Sequence, residues 1–291
     1  MSYFHLNLIL KGKLTVCCLL MLSVIPLNAQ REAKQIGDFK ESISLNEHLR
    51  GTKRTLQYCP DGDEFVCVNG KNRYTRALYG SHSPFRVETS DRPVFAFYNN
   101  GRGGNISFKV ILRDGTELAL DCTGHCESRY SAGKRTYYLT DPSWGKGELR
   151  ISVLALADMD GAIWRFSPSN MPKGAILRWQ HGGATGKRLS RNGDMGVDPA
   201  DCFELPAEAT DLVTGELPLQ KEVYLVRGEV PEGYNVRKLY QQAEAASLAL
   251  ASHLKIETPD PYLNTLGGAL VAAADGIWDG QVWLHGAIGW R

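Results

Sequence analysis

Alternating apolar and polar positions recur along most of the first 230 residues. Enrichment in β-branched and aromatic side chains favours half-buried strands over residues 65–68, 85–89, 94–98, 106–112, 116–120, 136–139, 149–154, 176–179 and 223–226. The dipeptides Asn69-Gly70, Asp114-Gly115 and Asp160-Gly161 separate several of these runs and suit tight hairpin turns. Many short strands joined by hairpins predict an antiparallel β-sandwich over residues 51–230.

After residue 230, apolar residues recur every three or four positions instead of every second one. This spacing predicts helices in residues 231–291. Asn235 suits an N-cap, and one amphipathic stripe follows it at Val236, Leu239, Tyr240, Ala243, Ser247, Leu250 and Leu254. Pro259 and Pro261 end this helix. A second helix is predicted, with its apolar face on Leu263, Leu266, Leu270, Ala274 and Ile277. Gly267 and Gly268 have no bulky side chains, which suits close packing of this face against a neighbouring helix. The predicted fold class is therefore mainly β, followed by one or two helices.

The N-terminus has the pattern of an export signal. Lys11 and Lys13 precede an apolar run over residues 14–27, and small residues then lead to Ala29. This pattern predicts a secretory signal peptide over residues 1–29 and a leader over residues 30–50. The run is too short for a membrane helix, which needs about 20 apolar residues. We therefore expect an exported protein without a membrane span.

Composition narrows the classes of partner. The chain has 33 basic and 32 acidic side chains, a formal net charge of +1, so it lacks the strong basic field on which many nucleic-acid binders depend. Gly accounts for 30 of the 291 residues, which favours many turns and hence many strands. We expect no nucleic acid and no obligate protein as partners.

The cysteines do not form a metal set. Five remain after the predicted cleavage, so at least one thiol stays free: Cys59, Cys67, Cys122, Cys126 and Cys202. Cys59 and Cys67 flank a predicted turn and could be bridged across a hairpin. The segment from Cys122 to Cys126 is too cramped for tetrahedral zinc without a distant fourth ligand, so we expect a surface turn with an incidental disulfide there.

Other motifs that carry chemistry are absent or incomplete. The glycine-rich run at residues 181–188 lacks the spacing of a phosphate-binding loop, and no serine-hydrolase or zinc-protease motif occurs. Asp194, Asp198 and Asp201 do not match a calcium loop. We expect no cofactor and no metal. Residues 181–199 fit either a surface loop or a binding loop carried by a rigid sheet.

The last residues hold a cluster of side chains suited to sugars. Aromatic faces stack on sugar rings, while Asp, His and Arg bond to hydroxyl or carboxylate groups, and the chain ends with Asp275, Trp278, Asp279, Trp283, His285, Trp290 and Arg291. The predicted substrate-binding residues are Trp278, Asp279, His285, Trp290 and Arg291. Because a natural terminus is usually polar and frayed, we expect the chain to be a partial one.

These segments resemble a known superfamily. Residues 258–270, 273–279 and 283–291 look like the start of an (α/α)6 barrel of exported six-hairpin glycosidases of Gram-negative polysaccharide degraders. One branch carries a β-sandwich of unknown function before the barrel, and residues 61–70, 76–80 and 182–199 are similar to it. The resemblance spans about residues 50–291. It implies a periplasmic or cell-surface protein with a poly- or oligosaccharide as partner, bound near the helix ends of the barrel.

The resemblance does not supply catalytic residues. Such a barrel has many more helices than the one or two predicted here, and its acid and base carboxylates generally stand on later elements. Asp275 and Asp279 lie four residues apart on one helical face, closer to a pair on one wall than to a pair flanking a glycosidic bond. The catalytic residues therefore remain unassigned.

Two hypotheses follow for function. The first is the N-terminal portion of an exported glycoside hydrolase-like protein, a sandwich plus the start of a barrel, inactive as this chain. The second is a non-catalytic carbohydrate-binding or structural β-sandwich capped by a helical hairpin. The first predicts exposed apolar surface on the helices, and the second predicts a cooperatively folded monomer that retains sugar affinity.

Overall fold

A computed structural model of the chain describes residues 57–71, 74–83, 85–99, 102–182, 212–230, 232–278 and 280–283. The predicted signal peptide and leader lie outside these residues, as do Asp194, Asp198, Asp201 and Cys202. By internal contacts the chain divides into two units, one of Gln57–Ile256 with Thr265–Arg291 and one of Met1–Leu56 with Glu257–Asn264. The described residues form fourteen strands, arranged in two antiparallel sheets, and two α-helices.

The first sheet has the strand order β1-β2-β8-β9-β10-β11-β14. Its neighbours are all antiparallel, and its bounds are β1 Cys59–Asp61, β2 Glu64–Val68, β8 His125–Ser131, β9 Lys134–Thr140, β10 Glu148–Ala155, β11 Gly161–Ser169 and β14 Val223–Gly228. Gly62, with φ of 60°, makes the predicted turn between β1 and β2. The β10–β11 connection covers residues 156–160, and Gly161 of the predicted Asp160-Gly161 turn is instead the first residue of β11.

The second sheet has the order β13-β12-β6-β5-β4-β3, with β7 paired to β6. Its strands are β3 Tyr74–Leu78, β4 Arg86–Ser90, β5 Phe95–Asn99, β6 Arg102–Ile111, β7 Glu117–Ala119, β12 Ile176–Gly182 and β13 Val213–Pro218. Gly115, with φ of 88°, makes the predicted β6–β7 turn. All nine strands named from the sequence are present, whereas β1, β3, β8, β11 and β13 were not predicted.

Aromatic side chains from both sheets meet in one core. Phe95 and Phe108 of the second sheet contact Trp164 of the first, with ring centroids 5.5 and 6.1 Å apart. Phe166 meets Phe108 edge to face at 5.1 Å. All four are buried. Burial of aromatic rings of this size is among the largest apolar contributions a core can receive, so the two sheets are held face to face as predicted.

Helix α1, Val236–Ala251, packs on the outer face of the first sheet. Asn235 is its N-cap, as predicted, because its side chain accepts a hydrogen bond from the N–H of Lys238 at 3.1 Å. Leu239, Tyr240 and Ala243 are buried against β10 and β11. The predicted stripe is therefore correct at its centre, whereas its first residue, Val236, is exposed.

Helix α2, Pro261–Gly276, does not bury the predicted face. Its buried residues are Thr265, Gly267, Ala269 and Gly276, whereas Leu263, Leu270 and Ala274 are exposed. The predicted face was wrong for Leu263, Leu270 and Ala274, whereas Leu266 packs against the core and the close packing predicted at Gly267 and Gly268 is confirmed. A Cβ at Gly267 would lie 2.9 Å from the Leu254 carbonyl oxygen, and one at Gly268 would lie 3.2 Å from Ala132.

Residues 257–260 form a bend that leads into α2. The Asn264 side chain accepts from the N–H of Thr258 at 2.7 Å and donates to its carbonyl oxygen at 2.9 Å. Asp260 accepts from the N–H of Tyr262 at 2.8 Å, the geometry of an N-cap. The prolines thus separate the two helices, as predicted.

The cysteine predictions need correction. Cys59, Cys67, Cys122 and Cys126 are free thiols. Cys59 stands opposite Val66 rather than Cys67, so the hairpin register does not favour a bridge between them. Cys126 is not in a surface turn: it lies in β8, fully buried, while Cys122 is exposed. Among the described residues no helix is long and apolar enough to cross a membrane.

Candidate functional site

The C-terminal end of α2 meets the loop between β3 and β4 at Gly276, and this loop meets the β10–β11 connection at Gly80. A Cβ at Gly276 would lie 2.2 Å from the Tyr79 ring, and a Cβ at Gly80 would lie 1.8 Å from the carbonyl oxygen of Leu156. Neither position has room for a side chain. The helix end and the loop are therefore fixed against the sandwich with close backbone contact, which places the side chains between them accurately.

Two serines fix the loop from within. Ser81 and Ser83 both donate to one carboxylate oxygen of Asp160, in the β10–β11 turn, and Ser81 does so at 2.9 Å. Ser83 also accepts from the N–H of Phe85 at 3.1 Å. Because Ser81 and Ser83 are held by Asp160 in this way, the loop keeps the imidazole of His82 next to the end of α2.

His82 bonds to α2 through its ring. The Nε2 atom of His82 and the Oδ1 atom of Asp275 are 3.1 Å apart, with side chains that are 47% and 37% exposed. An ion pair this exposed contributes little to stability. Imidazole and carboxylate together nevertheless offer a donor and an acceptor to a ligand with hydroxyl groups.

Two tryptophans follow Asp275 in a tight turn. The N–H of Trp278 donates to the carbonyl oxygen of Asp275 at 3.0 Å, and Trp278 forms an isolated antiparallel bridge with Trp283. Their ring centroids are 4.6 Å apart, at an interplanar angle of 48°. Trp283 is 68% exposed, the largest fraction among the exposed large apolar side chains described. One indole thus supports the other, whose face is open to solvent.

The structure brings together part of the predicted site. Trp278, together with Asp275 and Trp283, lies at the end of α2, whereas Asp279, His285, Trp290 and Arg291 lie outside the described residues. His82 and Asp160 were missed. The Ser81-His82-Ser83 triplet carries no motif, and nothing in the chain order relates position 82 to position 275, 193 residues away.

The described residues offer no metal centre, since none of their His, Cys, Asp and Glu side chains form a group of three or more that could hold an ion. Asp160 is engaged by two serines, and Asp275 by one imidazole. The arrangement can bind a polar ring through one exposed aromatic face with hydroxyl partners beside it. It does not by itself define a pair of carboxyl groups flanking a scissile bond.

The described residues thus form two antiparallel sheets with two helices attached. At the end of the second helix lies a pair of tryptophans, of which Trp283 is exposed. Comparison with known families adds one match. Residues 100–228 match the sequence profile of a domain of unknown function (DUF4450). The match covers less than half of the chain, lies within the two sheets from β6 to β14, and stops before the helices. No curated protein matches the chain.

Proposed function

We propose that this chain is the N-terminal portion of an exported glycoside hydrolase-like protein that acts on poly- or oligosaccharides in the periplasm or at the surface of a Gram-negative bacterium. In this proposal the two sheets are a supporting domain, and α1 and α2 begin an (α/α)6 barrel. The end of α2 forms one wall of the sugar site. The chain alone is expected to bind but not to hydrolyse.

The observation that carries the proposal is the exposure of Trp283. Leaving a large indole in water forgoes the apolar burial that would otherwise stabilise the fold by about 1.5–3 kcal/mol. The Trp278 ring packs against the Trp283 ring, and the His82–Asp275 pair provides hydrogen-bonding groups at the same helix end. A flat apolar face beside a donor and an acceptor suits the two chemistries of a sugar ring.

The test is binding of soluble polysaccharides by affinity electrophoresis. Trp283→Ala is expected to weaken retardation by about tenfold, equivalent to about 1.4 kcal/mol, because the stacking face is removed. Trp283→Phe should retain most of the affinity, since it keeps an aromatic face.

Leu270→Ala is the matched control, because Leu270 is also an exposed apolar residue of α2 but has no aromatic face. Equal affinity of the wild type and Trp283→Ala for every polysaccharide tested would contradict a sugar site at this position.

The second candidate is a non-catalytic carbohydrate-binding or structural protein. The continuous core between the sheets favours it, because that core holds the domain together without further helices. A carbohydrate-binding protein would also bind through Trp283, whereas a structural protein would not. The glycosidase-like proposal and this second candidate differ in whether the helices expose apolar surface.

A further inference from the structure

A second cluster of polar and aromatic side chains lies on the opposite edge of the molecule from the β3 edge. Strand β14 ends the first sheet, and β12 and β13 end the second. Arg227 of β14 reaches from the first sheet to the second: its Nε donates to Nδ1 of His181 at 2.9 Å, and its guanidinium carbon lies 5.1 Å from the centre of the Trp179 ring. All three side chains are half-buried. The arginine thus bridges the two sheets.

The contact with His181 determines the form of the imidazole. Because the Nε–H of Arg227 is a donor, Nδ1 of His181 must accept, so the ring is neutral with its proton on Nε2. Trp179 contributes only the negative face of its ring. Neither neighbour carries a negative charge to balance the guanidinium.

Other arginines of the molecule differ in this respect. Arg178, on the same strand as His181, bonds to Glu216 at 2.8 Å and to Glu117 at 2.9 Å. Within the described part of the chain, the partners of Arg227 are His181 and Trp179, and no carboxylate lies within ion-pair distance of it. Burial lowers the pKa of Arg227 from its usual value. Keeping a partly desolvated cation without a counter-charge costs stability.

We propose that Arg227, which lies over the Trp179 ring and is oriented by His181, binds the oxyanion of a carboxylate or sulfate group. The indole beneath the guanidinium and the bond from Nε to His181 together restrict the position of its two terminal nitrogens. The two terminal nitrogens then point their N–H groups together, the fork that binds two oxygens of one carboxylate or sulfate group. The anion supplies the negative charge that the described neighbours of Arg227 do not carry.

This site is separate from the aromatic pair at the end of α2, so the inference does not depend on the sugar proposal. The anion has two sources with the same chemistry, a free inorganic ion or an acidic sugar. Isothermal titration calorimetry of the full chain in about 0.1 M salt, where long-range surface attraction is screened, distinguishes them with sodium sulfate, sodium D-glucuronate and neutral D-glucose.

We expect the wild type to bind sulfate, glucuronate or both, and not glucose. Sulfate alone would assign a free inorganic anion, and glucuronate with or without sulfate would assign an acidic sugar. Arg227→Gln should weaken binding by at least about tenfold, since a hydrogen bond to a charged group is worth about 1.5–3 kcal/mol. Arg227→Lys should also lose affinity, because an ammonium keeps the charge but not the fork.

Arg178→Gln is the matched control: it removes the same charge from β12, the strand that carries Trp179 and His181, but its guanidinium already bonds to two glutamates. It should bind anions as the wild type does. The unfolding temperature provides a second readout, because Arg227→Gln removes an unbalanced cation and should unfold no lower than the wild type. If that variant does not fold, Arg227→Lys carries the binding test.

Three results would overturn the proposal. One is a wild type that binds neither anion, or binds glucose equally well. Another is an equal loss of anion affinity in Arg227→Gln and Arg178→Gln, which would indicate that the anions respond to general surface charge. The third is wild-type affinity in Arg227→Lys, which would remove the role of the planar fork. Unchanged anion binding in Trp283→Ala would keep this site distinct from the aromatic pair.

Discussion

Buried polar residues explain why strand β8 was not predicted from the sequence. The inward-facing positions of β8 are Cys126, Ser128 and Tyr130, so the strand has no run of aliphatic residues to reveal it. Arg135, fully buried beside them, donates to Ser128 at 3.2 Å and to the carbonyl oxygen of Ser90 at the same distance. Hydrogen bonding makes these polar groups compatible with burial. Cys126, at the end of the segment predicted to be a surface turn, is therefore part of the core, whereas Cys122 is exposed.

The buried thiol of Cys126 gives a prediction about alkaline stability. Burial raises the pKa of Cys126 to about 12, whereas an unfolded thiol titrates near 8.5. The protonated native thiol therefore contributes stability below about pH 8.5, and that contribution is lost as the pH rises towards the folded value. We expect the free energy of unfolding of Cys126→Ala to fall less steeply between about pH 7.5 and about pH 10 than that of the wild type.

Urea denaturation at a series of pH values measures this slope. Cys122→Ala is the control, because the Cys122 thiol is exposed and should change the slope less. Identical slopes in the wild type and Cys126→Ala would show that the Cys126 thiol does not titrate differently in the folded chain.

At the scale of elements, the two helices differ in how well the sequence identified their buried faces. Helix α1 has a polar side and an apolar side, so its stripe through Leu239, Tyr240 and Ala243 was readable. Helix α2 is apolar or small on nearly every side, so no period distinguished the faces. Steric fit determined the buried face instead, because the side with Gly267 lies close to the carbonyl oxygen of Leu254.

The N-cap of α1 gives a prediction at this scale. Asn235→Ala removes the acceptor for the N–H of Lys238 and should lower the free energy of unfolding by about 1 kcal/mol. Chemical denaturation followed by circular dichroism measures the change. Gln241→Ala, at an exposed position within the same helix, should cost nothing or stabilise slightly, since Ala is the better helix former. A cap variant as stable as this control would contradict the role of Asn235.

At the scale of the whole molecule, apolar side chains remain on the outside of the helices. Leu248 of α1 is 60% exposed and Leu270 of α2 is 45% exposed. Single exposed apolar residues are ordinary on a protein surface. Together with Trp283 they are exposed apolar side chains in the helical part, where the glycosidase-like hypothesis expects apolar surface.

Dye binding separates the two hypotheses. The native wild type should enhance the fluorescence of an apolar dye such as ANS, which reports exposed hydrophobic surface, and the double variant Leu248→Gln/Leu270→Gln should reduce the signal. Leu177→Val, inside the core, is the control and should leave native dye binding unchanged. A wild type that binds no dye and unfolds in one cooperative step as a monomer would favour the independent carbohydrate-binding or structural protein.

The sequence alone determined the positions of nine strands, two helices and their cap and prolines, because alternation, helical period and turn residues are properties of neighbours in the chain. It also placed Trp278 and Trp283 together, since they lie five positions apart in the chain. The tertiary structure decided which face of α2 packs, that His82 meets Asp275, and that Arg227 meets His181. Those contacts join residues far apart in the chain, and only the folding of the sheets and the close approach at glycines bring such residues within bonding distance.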